Sequence, residues 1–336
     1  MIRLKIFYLL ILTLTVLFNA CKSDKLKIDV SGMEANVETF RIEKELFSDK
    51  QDYEKHRKLH NKLGDFYQKY IEIMIKAGPV DDSLTINSIN HFTQDAEIKE
   101  VYADVVSAYT DLTFLNRELS SAFKHYSYYF PNNLIPEVVT YISGFNYAVA
   151  ASDSVLGIGL DMYLGKDYKY YSMIGFPAYK TNSMSREYIL PDAVKGWVAT
   201  EFEFDPIGKD MLTQIIHHGK IMFILDALLP HLEDTLKIAY SKEQLEWCKN
   251  NEANVWAHFI DKQLLFTTNS KEIMSYINDG PFTNGLPRES PSKVGVWLGW
   301  QIVRAYMERQ DSVDLQKLLD TNAQEILKES KYKPRK

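Results

Sequence analysis

The chain has 336 residues, 46% apolar and 25% charged, with a formal charge of −6. This composition suits a packed globular body and excludes a disordered chain, and the acidic balance excludes nucleic acid as a partner held by charge. Only two cysteines are present, Cys21 and Cys248, so the fold has no disulfide framework to rely on.

At the start of the chain, Arg3 and Lys5 precede an apolar run from Ile6 to Phe18. That run is too short to cross a hydrocarbon core of about 30 Å as a helix. Leu17-Phe18-Asn19-Ala20-Cys21 follows, and the segment resembles a bacterial lipoprotein signal peptide cut before Cys21, with Phe18 where Leu is usual. On that reading residues 1–20 are removed and Cys21 carries two or three acyl chains, enough to hold a protein stably to a membrane. An uncleaved anchor or an ordinary secretory signal is the alternative. Lys22 to Lys27 is polar and aperiodic, so residues 21–30 read as the lipidated cysteine and its tether, and residues 31–336 as one globular domain. With Cys21 acylated, Cys248 has no partner and is expected to be buried.

The body reads as mostly helical. Glu43–Phe47 and Tyr53–Ile75 carry apolar residues three and four apart, with Gly78-Pro79 as a stop. Leu84–Phe92, Asp95–Tyr109 and Phe114–Phe130 continue the pattern up to Pro131. The helical period then gives way to β-branched and aromatic residues at Val138–Ser143, Asn146–Ala151 and Val155–Leu160, punctuated by Gly144 and Asp153-Ser154. The expectation is an α+β fold, mostly helical, with a small antiparallel sheet. No internal repeat points to a solenoid.

Asp205-Pro206 reads as cap and first residue of a long helix that runs through His217 and His218 to Leu229. A zinc peptidase helix carries His at i and i+4, so that both rings reach one metal, and Glu at i+1 as the general base. His218 can take the second position, but Gln214 then stands for the first ligand and Ile215 for the base. His217 points about 100° away from its neighbour. His231, Glu233, Glu246, Glu252 and His258 follow at no diagnostic spacing. No metal, cofactor or catalytic residue is therefore expected. Further on, Ser290 and Pro291 read as the start of a helix in which Gly295 and Gly299 clear one stripe for close packing. Trp297, Trp300, Gln301 and Arg304 lining a pocket is the alternative there.

Several segments resemble the gliding-motility lipoprotein GldB family of Bacteroidota. They are His125-Tyr126-Ser127-Tyr128-Tyr129-Phe130-Pro131, Leu160-Asp161-Met162-Tyr163-Leu164-Gly165, Leu190-Pro191-Asp192, Glu243-Gln244-Leu245-Glu246-Trp247-Cys248 and the helix from Gly295 to Tyr306. That family in turn resembles predicted zinc peptidases, with Gln214–His218 placed where a His-Glu-x-x-His helix would lie. The resemblance implies a degenerate zincin-like scaffold without enzymatic activity, lipid-anchored in the cell envelope, most simply at the outer membrane facing the periplasm. Its partners would be the membrane, through Cys21, and envelope proteins of the gliding or associated secretion machinery. A zinc hydrolase with an atypical site is one rival reading. A glycan- or ligand-binding lipoprotein, suggested by 13% aromatic residues, is another.

Overall fold

The computed structural model describes residues 25–334, so residues 1–20, Cys21 and the first tether residues lie outside it. The three- and four-residue spacing produces α1 (Ile42–Ser48), α2 (Tyr53–Lys69), α3 (Thr85–Gln94), α4 (Ala96–Ala108) and α5 (Thr113–Tyr129). The expected helix through Ile75 is interrupted twice. Gly64 takes a non-helical conformation at φ 52°, one that residues with a Cβ resist, and the last turn widens into a π-turn over Tyr70–Met74.

The sheet has four strands, β1 (Phe40–Arg41), β2 (Glu137–Tyr141), β3 (Val149–Ala151) and β4 (Val155–Gly159), in the order β1-β2-β4-β3. It is mixed, not antiparallel as the strand spacing suggested. β1 and β4 both run parallel to β2, and only the β3–β4 hairpin is antiparallel. The cause is the loop after β2, which carries the chain past the width of β4 before β3 begins. Asp161 holds that loop, accepting from the amides of Ser143 (3.1 Å) and Phe145 (2.7 Å). Alternation of side chains shows that strands exist but not which neighbours pair, and a two-residue β1 leaves no periodic signal. Val139, Tyr141 and Val155 face a cluster with Phe66 and Tyr67 of α2 and Tyr70 of the π-turn, while Val138, Leu156 and Ile158 face the larger core.

Beyond the sheet come α6 (Ile189–Glu201), α7 (Met211–Leu228), α8 (Lys242–Asn250), α9 (Glu252–Asp261), α10 (Ser270–Ile277), α11 (Val294–Arg309), α12 (Leu315–Asp320) and α13 (Ala323–Ser330). Two of these helices start later than the sequence suggests. Asp205 and Pro206 form a turn, since Gly208 at φ +70° breaks the run, and Asp210 caps α7 by accepting from the Thr213 amide at 2.8 Å. Ser290 and Pro291 likewise precede α11 and do not open it. The first amide of α11, on Val294, donates to the Thr283 hydroxyl at 3.3 Å, and that hydroxyl donates to the Pro291 carbonyl at 2.7 Å. A cap supplied from a distant loop has no local spacing to betray it.

Helix α7 is apolar nearly all round and lies within the core, with α11 packed along it. The two run parallel. Gly299 lies against the Ile215 carbonyl, Gly219 against the Gly299 carbonyl, and Trp300 and Arg304 reach Asp226. Gly295 and Gly299 thus lie in the contact between the two helices, and Gly219 is the counterpart on α7. Among the described residues no helix is long and apolar enough to cross a membrane.

Candidate functional site

His217 and His218 stand midway along α7, where clefts bounded by α6, α7 and α11 meet. Both rings line two of these clefts, and the one on the α6 side has a volume of about 460 Å³ and is also lined by Tyr163, Asp192, Lys195, Asp279 and Lys293. Its charges are paired. Lys195 contacts Asp192 at 3.1 Å, Tyr163 donates to Asp192 at 3.1 Å, and Lys293 contacts Asp279 at 2.7 Å while donating to the Ile238 carbonyl. The imidazoles are not. His217 stacks on Phe204 at 4.2 Å, its centroid is 5.7 Å from that of His218, and neither ring has a hydrogen-bond partner among the described residues. Burial pushes both pKa values down to about 4, reinforced at His217 by His218 and Lys220 and at His218 by Lys195 and Lys293. Both rings are neutral at pH 7.

The other two positions of the expected zinc helix do structural work. The Gln214 side chain donates to the Lys209 carbonyl at 3.0 Å and so ties down the turn before α7. Ile215 is fully buried and packs its backbone on Gly299. The remaining candidate ligands are scattered. His231, Glu233 and Glu246 are exposed, Glu252 accepts from Tyr332 at 2.6 Å, and His258 bonds Tyr276 at 2.8 Å. Among the described residues, no three His, Cys, Asp or Glu side chains are grouped to hold a metal ion.

A second polar cluster lies at the C-terminal end of the same helix pair. Asp226 receives Lys237 at 2.9 Å, the Trp300 indole at 2.9 Å, and two bonds from Arg304 at 2.7 and 2.8 Å. Arg304 also grips Asp234, and its guanidinium lies 3.8 Å from the centre of the Trp300 ring. Burial works against the Arg304 charge, yet Asp234 and Asp226 more than offset it and raise its pKa. Trp297 and Trp300 are buried in the core, Gln301 is half-buried, and Arg304 alone of that set both lines a cavity and carries charge. Asp226, Lys237, Lys195, Lys293 and Gly219 were not singled out by sequence. Asp226, the one charged residue in the apolar run from Ile221 to Leu229, was the available signal, because a buried carboxylate requires partners.

Several residues of the segments that carry the family resemblance hold the fold together, while Tyr163 and Asp192 line the histidine cleft. Asp161 clasps the loop after β2, Tyr126 donates to Glu201 at 3.0 Å, and Cys248 is a buried free thiol whose pKa burial pushes well up. Fold and site together define an α+β protein whose marked helices are locked by packing and ion pairs. A family model described as gliding motility protein GldB matches residues 23–334, and the chain belongs to that family. No curated protein and no solved structure matches it.

The neutral histidines make stability depend on pH. From about pH 6.5 down to about 4 the unfolded chain binds protons at His217 and His218 that the folded chain does not, so stability falls through that window. Asp161 acts in the opposite sense. Burial raises its pKa to about 6, so the folded chain gains protons there first and is favoured as pH falls. Each pKa unit corresponds to about 1.4 kcal/mol, so the His217→Gln/His218→Gln variant should lose about 2–5 kcal/mol less than the parent over this window, after discounting for partial exposure and mutual coupling. Urea denaturation at stepped pH measures the difference, and superimposable profiles would refute it.

Proposed function

We propose that this chain is a lipid-anchored, non-catalytic component of the cell envelope that acts by binding other envelope proteins, in gliding motility or the secretion machinery associated with it. The observation that carries this reading is what occupies the expected zinc helix. Gln214 and Ile215 stand where a ligand and a general base are needed, and both are committed to holding α7 in place. A metallopeptidase scaffold that lost its metal would look like this, with His218 as a remnant. Family membership supports the process, and the pattern from Arg3 to Cys21 supports anchoring through the acylated cysteine, most simply at the outer membrane facing the periplasm.

The test is mild crosslinking and affinity capture of the full chain from its own membranes, with Cys21→Ala alongside. A discrete set of envelope proteins should be recovered with the parent, and should fall away when Cys21→Ala releases the protein or leaves its precursor uncleaved. The purified protein should hold less than one equivalent of zinc and show no chelator-sensitive peptidase activity. Stoichiometric zinc lost with His218→Ala would overturn the non-catalytic reading.

A further inference from the structure

The place where the chain enters the domain is fixed by contacts. Lys25 Nζ donates to the carbonyl of Glu308 at 3.2 Å and to that of Gln310, at the C-terminal end of α11. The last carbonyls of a helix lack intrahelical partners, and the helix dipole favours a cation there. Leu26, the next residue, packs against the core. Both line a cavity of about 400 Å³ whose walls include Phe223 and Pro230 at the end of α7, Met307 at the end of α11, and Val313. Because α7 and α11 run parallel, their C-terminal ends share this mouth. Cys21 lies four residues before Lys25, and four residues reach at most about 14 Å when fully extended.

We propose that this end of the α7–α11 pair is the membrane-facing surface of the protein, with the loops at 230–233 and 310–313 laid against the bilayer that holds Cys21. The inference rests on the acylation of Cys21 put forward above. A long free tether would let the domain tumble, whereas a short one that ends on two carbonyls at the close of α11 and a packed leucine restricts it. Pro230, Leu232 and Val313 are half-buried apolar residues at the mouth, and His231 and Ser312 are exposed beside them. The 18 residues of α7 make a ruler of about 27 Å. Its N-terminal end, next to the exposed Ile207, therefore stands away from the lipid, and the clefts at His217 and His218 open between the two ends.

Single cysteines test this orientation in the full, acylated chain. Ser312→Cys, His231→Cys and Ile207→Cys are each labelled with a fluorophore and reconstituted into phosphatidylethanolamine–phosphatidylglycerol vesicles that carry nitroxide-headgroup lipid. Cys248 is buried and its thiol pKa is raised, so it stays unlabelled in the folded protein. Quenching at 231 and 312 should exceed that at 207 by about threefold or more, given the length of α7 against the reach of the tether. Equal quenching at all three sites in vesicle-bound protein, or stronger quenching at 207, would overturn the orientation and leave the anchoring intact. Protein that does not float with the vesicles would instead remove the anchoring, and the orientation with it.

Discussion

Gly299→Ala is expected to destabilise the protein, although helix propensity alone would favour alanine by about 1 kcal/mol. A Cβ built on Gly299 would lie 1.8 Å from the Ile215 carbonyl oxygen and 2.5 Å from its carbon. Backbone atoms have no rotamer to escape into, so the two helices must part. Parting them opens voids around Trp300 and Ile215, both fully buried. Overpacking typically costs about 1–3 kcal/mol, and a rigid backbone clash belongs at or above the upper end. Gly219→Ala should follow closely, since its Cβ would meet the Gly299 carbonyl at 2.3 Å. Gly295→Ala should be mildest, with the nearest atom, the Tyr276 carbonyl oxygen, at 2.9 Å. Gly299→Leu should not fold. Thermal and urea denaturation of the alanine series give the order, and a melting temperature raised by Gly299→Ala would show that the helices do not touch there.

The close approach of α7 and α11 was half legible in the sequence. Two glycines four apart announced a stripe without side chains, but nothing in α11 says which helix fills it. Gly219 sits between His218 and Lys220 on another helix and becomes informative only once the two helices are side by side. The same limit governs the sheet. β-branched residues marked three strands, yet their order depends on how Asp161 folds the loop from Ser143 to Phe145, a contact across many residues of sequence. The helix starts at Asp205 and Ser290 failed for a related reason. Local chemistry offered a cap at each, and Gly208 and the Thr283 hydroxyl, one a backbone constraint and the other a distant partner, decided otherwise. His217 and His218 were visible from the residues alone, but their neutrality depends on a cleft that only the packed helices create.

Asp226→Ala should be among the most damaging single substitutions outside the glycine contact. It strips the carboxylate from Lys237, whose side chain is only 4% exposed, and removes acceptors from the Trp300 indole and Arg304. Breaking a buried ion pair by deleting one partner costs about 3–5 kcal/mol, because the other charge stays desolvated and unpaired. Arg304→Met should cost less, about 1–3 kcal/mol, since Asp226 keeps Lys237 and Trp300 and the Arg304 side chain is 30% exposed. The decisive variant removes both buried charges. Asp226→Leu/Lys237→Met leaves no orphaned charge at that pair, and apolar replacements of buried pairs are often close to neutral. The double variant should therefore be more stable than Asp226→Ala in urea, even though it deletes more of the cluster. If it proves less stable instead, the cluster contributes net attraction beyond mutual neutralisation, and the position of Asp226 at the shared end of α7 and α11 becomes a fastening for that end of the helix pair.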